Sequence, residues 1–236
     1  MKTESINEKS LSEILCKDII ELLQKKMHLQ HIRVSYDEKA VIKERLKHGR
    51  HIVFFTPIDS ESEREKYERK AETAKIKYKT KSPMIHFPNV AVDELVQIFQ
   101  CGAEDEYTNT ILRLKKEYDI EADKFIFVSF IFLHEIGHWN QLENDDRIVY
   151  KYLLRNLTEE RNNHDAQKKI LTIALNRNGL NELGQGLKLT IKEKKALEDL
   201  QEEYRHIPKE AEADEYAVKM LKSVDLTNLF LEISER

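Results

Sequence analysis

The longest apolar run of the chain, FIFVSFIFL from Phe125 to Leu133, is hydrophobic nearly all round, the pattern of a helix buried in the centre of a domain. At helical spacing the stripe Phe127, Ile131, His134 and His138 continues past the run into HEIGHWNQ, so two histidines lie on a core-facing line. Asp123 is placed to start this helix. Upstream, Leu11, Ile14, Leu15, Ile19, Leu22 and Leu23 recur at helical spacing and predict an amphipathic helix over Ser10 to Leu29. The β-rich runs His31 to Tyr36 and His51 to Pro57 read as strands, separated by a helical or loop segment that ends at Gly49. Asp59 to Lys81 is almost wholly charged, either a solvated helix or a mobile connection.

Met84 to Val90 predicts a third strand, which Pro83 and Pro88 confine to a sheet edge or to a strand end. As an edge beside the buried helix it is expected to hold an extended peptide, by adding that peptide as a further strand. Helices are expected at Val92 to Gln100 and about Glu106 to Tyr118. A charge-rich helical tract then fills Gln141 to Pro208: Arg147 to Leu157, Glu159 to Asn176, a glycine-rich break at Gly179 to Gly186, and Ile191 to Arg205, whose start is marked by the capping-box pair Thr190 and Glu193. Pro208 suits the first turn of a closing helix that ends near Ser223, with a short amphipathic tail at Leu226 to Ile233. The pattern predicts an α+β protein, one mainly helical domain over residues 1–236 with a small mixed or antiparallel sheet and residues 143–207 as a helical insertion.

Charge narrows the functions that remain. The net charge of −4 and a pI near 6.2 supply no global basic field for nucleic acid or anionic lipid. Cys16 and Cys101 lie far apart with no Cys or His at ligand spacing, and read as reduced thiols. The N-terminus, MKTESINEKS, has no hydrophobic core of a secretion signal, and the longest apolar run is about half of what a membrane span needs. A soluble cytoplasmic chain is expected, with no membrane and no nucleic acid among its partners.

The candidate chemistry sits where the apolar stripe ends. His134, Glu135 and His138 form His-Glu-x-x-His, and positions i and i+4 share a helical face, so the two imidazoles can bind one tetrahedral zinc about 2 Å away. Glu135 is rotated about 100° from His134, wrongly aimed for ligation and well placed to hold a metal-bound water as general base. Gly137 is a position where another backbone could pass close to the metal. Catalytic zinc needs a third protein ligand. On the closing helix Glu210 and Asp214 are i and i+4, which allows Glu210 to bind metal while Asp214 accepts a hydrogen bond from the far nitrogen of a ligating histidine. In so acidic a chain that spacing alone describes a solvated helical face.

Together HEIGH and EAEADEYA resemble the gluzincin metallopeptidases, in which a first helix carries HExxH and a later one ExxAD or ExxAN followed by an aromatic residue and Ala. The patterns are similar to the ImmA/IrrE-type peptidases and to the HtpX/CAAX-prenyl-protease group, and the lack of spans favours the ImmA/IrrE side. The resemblance implies a zincin-like domain with one Zn2+ on His134, His138 and Glu210, Glu135 as catalytic base and Asp214 behind a histidine. It further implies an intracellular zinc metallopeptidase acting on a protein or peptide substrate, a regulatory protein being one candidate. Two other readings stand beside it: a catalytically silent zincin fold used for regulation or binding, and a zinc hydrolase of a non-peptide substrate. Glu159 and Glu160 compete with Glu210 for the third position, because they lie only 21 and 22 residues past His138 whereas 71 residues separate His138 from Glu210. Tyr204, His206 and Tyr216 are candidate oxyanion donors that ordinary packing explains equally well, and His86 reads as structural.

Overall fold

The computed structural model describes residues 14–47, 51–57, 80, 83–101, 105–178 and 189–224. In chain order these form α1 (Cys16–Lys26), β1 (Val34–Asp37), α2 (Lys39–Lys47), β2 (Phe54–Thr56), β3 (Met84–Pro88), α3 (Val92–Gln100) and α4 (Glu106–Tyr118). There follow α5 (Lys124–Asn144), α6 (Val149–Leu154), α7 (Leu157–Asn178), α8 (Ile191–Arg205) and α9 (Pro208–Ser223). The architecture is α+β, helices around one small mixed sheet. The expected start of the first helix before residue 14, most of the charged tract 59–81, the 179–186 break and the tail from residue 226 lie outside the described residues.

Helix α5 is the centre, as its apolar run requires. The Asp123 side chain caps it by accepting from the Phe125 and Ile126 amides at 2.9 Å. Phe127, Val128, Phe130, Phe132, Leu133 and Ile136 are each at most 1% exposed, because α1, α3, α4, α9 and the sheet all pack on it. Aromatic rings seal these contacts edge to face: Phe87 on Phe132 at 6.3 Å, Phe99 and Tyr107 on Phe127 at 5.3 and 5.0 Å. Despite its hydrophobicity, no helix among the described residues is long and apolar enough to cross a membrane.

The sheet corrects one expectation. Its order is β1-β3-β2, so the Met84 strand is central and not the edge on which a peptide could be added. The prolines fit because they fall at strand ends. The Ile85 amide on β3 donates to the Arg33 carbonyl just before β1, and the Asn89 amide just past β3 donates to that of Asp37 at the end of β1. Pro88 is out of phase with these donors, on the side of β2, and parallel-paired with Asp37; β2 reaches only as far as Phe54 opposite His86, so no ladder bond is lost. Ile85 and Phe87 face the core, while His86 stacks on Phe54 with centroids 4.5 Å apart and lies 3.4 Å from Asp37 Oδ1. His86 is structural.

The remaining elements follow the pattern closely. The α8 capping box is present, Thr190 Oγ1 accepting from the Glu193 amide and the Glu193 carboxylate from the Thr190 amide. Helix α6 is shorter than expected, because Asp146, Arg147 and Asn156 adopt left-handed backbone on either side of it. Cys16 is buried, Cys101 exposed, and both are free thiols.

Helices α5 and α9 cross in close contact at Gly137 and Ala213. A Cβ on Gly137 would stand 2.6 Å from the Ala213 Cα and 3.0 Å from its Cβ, so the glycine is what lets the two backbones touch. Gly137→Ala is therefore expected to lower stability by about 1–3 kcal/mol through overpacking, and to weaken metal retention by pushing α9 outward. Chemical denaturation and metal content of the purified variant read both effects; unchanged stability would mean that the helices separate at no cost.

Candidate metal centre

The α5/α9 crossing assembles the centre. His134 and His138 project one turn apart from α5, their rings 4.7 Å apart and nearly perpendicular. Glu210 enters from the first turn of α9, where Pro208 sets the helix start. Its Oε2 lies 3.4 Å from His134 Nε2 and 3.6 Å from His138 Nε2. A tetrahedral zinc with bonds of 2.0–2.1 Å requires donor atoms about 3.3 Å apart, so these separations fit the ion. Among the described residues this is the group of His, Cys, Asp and Glu whose ligand atoms lie within 4.8 Å of one another, and all three side chains are buried.

The far sides of both rings are fixed. His134 Nδ1 lies 2.8 Å from Asp214 Oδ1 and His138 Nδ1 lies 3.0 Å from Gln141 Oε1. With Nδ1–H donating to an acceptor, the neutral ring presents the Nε2 lone pair to the metal position. The Gln141 amide is held in that sense, because its Nε2 donates to the Lys209 carbonyl at 2.6 Å and to Glu212 at 3.2 Å. Sequence reading missed Gln141, although its i+3 spacing from His138 on the same helix was available as a signal. It missed Arg113 as well. That guanidinium, over the Phe130 ring, donates to Asp214 Oδ2 at 2.5 Å, and Arg205 stands 3.6 Å from Asp214 Oδ1.

These charges set the protonation of the metal-free site. Burial opposes the His134 imidazolium, but the bonds to Asp214 and Glu210 outweigh it and push the group up to about 10. Burial raises Glu210, yet the two imidazoles hold it well below the usual carboxylate range. Asp214 is likewise raised by burial and lowered further by His134, Arg205 and Arg113. Burial, then the Glu210 and Glu160 carboxylates, raise the Tyr204 hydroxyl, which stays protonated at neutral pH.

The competing residues are elsewhere. Glu160 is bonded to Lys209 Nζ at 2.9 Å and Glu159 is exposed, so neither joins the histidines. His206 is exposed with Nδ1 on the Glu202 carbonyl, and Tyr216 packs against the core. Glu135 is 9% exposed beside His134 and makes no hydrogen bond or ion pair among the described residues. Its carboxylate is thus uncommitted among the described residues.

Metal content should follow this geometry. His138→Ala and Glu210→Ala are expected to lose most of the zinc, Asp214→Ala and Gln141→Ala to weaken it by about 10- to 100-fold, and Glu160→Ala to leave it unchanged in a chelator competition; the reverse ranking for Glu160 and Glu210 would reassign the third ligand. A second prediction concerns pH. The folded metal-free His134 value of about 10 lies above the unfolded value of about 6.5. Its contribution to stability is therefore complete below pH ~6.5 and lost as pH rises through about 10. Chelated wild type should lose stability across that window more steeply than chelated Asp214→Asn, and urea midpoints measured at several pH values check it. Zinc loading at pH 7 should release the His134 proton, read by calorimetry in buffers of different ionisation enthalpy.

Compared with known proteins, the chain matches no family model, no curated protein and no solved structure, so its chemistry rests on its own residues.

Proposed function

We propose that this chain is an intracellular zinc metallopeptidase of gluzincin type, zincin-like in fold, that hydrolyses peptide bonds in a protein or peptide substrate. The observation that carries the reading is the pairing of a three-donor set, His134, His138 and Glu210, with the uncommitted carboxylate of Glu135 next to it. Three protein ligands leave a fourth position open, as catalytic zinc sites do. When bound, zinc polarises the scissile carbonyl and brings the pKa of its water towards neutrality. Asp214 and Gln141 keep both Nε2 atoms aimed at the ion. Glu135 takes the proton from the attacking water and returns it to the leaving nitrogen.

With β3 in the middle of the sheet, the substrate edge is assigned to β2, an outer strand among the described residues. Phe55 of β2 packs on Trp139 and Tyr152 at 6.0 and 5.5 Å, and the Tyr152 ring is 6.3 Å from His138, which brings this edge towards the ligands. A second reading, a silent zincin fold that binds without turnover, draws on the burial of the centre, since closed sites are typical of structural zinc. The intact Glu135 favours hydrolysis, because a scaffold has no use for a base there.

Glu135→Gln separates the two. The variant is expected to keep its zinc and fold while cleavage of casein or of a panel of candidate repressors falls by about 10²-fold or more. Undiminished cleavage would move the base to another residue, and a zinc-loaded wild type that cleaves nothing on the panel would favour the binding reading.

A further inference from the structure

A cleft of about 700 Å³ opens between α7, α8 and the Ile207–Pro208 turn that leads into α9, a volume typical of binding sites. Its walls are two antiparallel helices. Asn163, buried on α7, donates to the Leu200 carbonyl on α8 at 2.6 Å, and at the far end Arg177 grips Glu193 through bonds of 2.6 and 2.8 Å. The floor is apolar, with Leu200 half-buried and Ile207 buried. The rim is acidic. Glu159 from α7 and Asp199, Glu202 and Glu203 from α8 all line the cleft, all are exposed, and no lysine or arginine lines it with them. Among the described residues none of these four carboxylates is paired with a cation.

Exposed carboxylates gathered over an apolar floor, with His206 the one basic side chain on the lining, are complementary to a cationic, partly apolar partner. A single metal ion does not fit this rim. Its carboxylates do not converge as the His134, His138 and Glu210 donors do, and they are instead distributed over two helices. Positive groups spaced along a polypeptide do fit. We propose that this cleft docks a lysine- or arginine-rich segment of a partner protein, with apolar side chains on Leu200 and Ile207 and cationic groups against Glu159, Asp199, Glu202 and Glu203.

The cleft adjoins the metal centre. Pro208 on its lining is two residues before Glu210, and Glu160, next to Glu159, is bonded to Lys209 in the same first turn of α9. If the peptidase reading holds, on which this extension rests, the docked segment belongs to the substrate and the cleft selects basic proteins. Docking itself requires no cleavage.

The test uses the full chain as zinc-loaded Glu135→Gln, titrated with a short fluorescent peptide of alanine, leucine and lysine and with the same peptide carrying glutamine for lysine. The lysine peptide is expected to bind, more weakly as salt rises, and the glutamine peptide much more weakly. Glu202→Lys combined with Glu203→Lys should weaken lysine-peptide binding about tenfold or more, the size of several exposed ion pairs taken together. Both positions are exposed, so zinc content and helical circular dichroism should be unchanged. No binding of the lysine peptide, equal binding of both peptides, or unweakened binding by the charge-reversed variant overturns the proposal. Self-association of the parent that disappears in the variant also overturns it, by assigning the cleft to a second copy of the chain. Failure of the peptidase reading looks different: wild type cleaves no protein while the lysine peptide still binds and charge reversal still weakens it.

Discussion

The approach of α9 to α5 at Gly137 and Ala213 sets the distance between the histidine pair His134 and His138 on one helix and Glu210 on the other. With a Cβ only 2.6 Å from the facing Cα, no other residue fits at position 137 without moving a backbone. Ala213 and Ala217, both fully buried, keep the rest of the α9 face equally shallow. Small side chains here are a constraint on distance, and the distance is what a tetrahedral ion demands. The geometry of the three donors is thus a consequence of backbone packing, one step removed from the donor side chains themselves.

Close packing brings charge into the core, which is costly unless the charge is paired. Glu210 and Asp214 are 4% and 1% exposed, and each is surrounded by cationic or hydrogen-bond-donating groups. Asp214 faces His134, Arg113 and Arg205, three partners from three different helices. For His138 the partner is the neutral amide of Gln141, itself tied to the Lys209 carbonyl and the Glu212 carboxylate, and so the two histidines are held by unlike partners.

Around this pair of helices the other elements play supporting parts. The sheet covers α5 with Ile85 and Phe87, and its β2 strand reaches the aromatic cluster of Trp139 and Tyr152 beside His138. Lys209 ties the hairpin of α7 and α8 to α9 through Glu160 and lies over the Tyr152 ring. The charge-rich tract that separates α5 from α9 in sequence is therefore joined to α9 by specific contacts.

The elements with strong local signals were readable from the chain alone. The boundaries of α3, α4 and α8, the Asp123 cap, the Thr190–Glu193 box and the Pro208 start follow from periodicity and capping chemistry, which act within one or two turns. The histidine pair was readable for the same reason, since i and i+4 on one helix are neighbours whatever the rest of the fold does. Glu210 and Asp214 could be proposed from a second short pattern, but only tertiary structure places them against α5 and leaves Glu160 with Lys209. Arg113 lies 101 residues before Asp214, and no local period connects them. The order of the strands was equally hidden: proline limits where a strand can lose a donor, yet whether Met84–Pro88 sits at an edge depends on which backbones arrive on either side of it. Local chemistry wrote the helices and half of the site into the sequence, and long-range packing, through the small residues at the α5/α9 crossing, decided which carboxylate completes it.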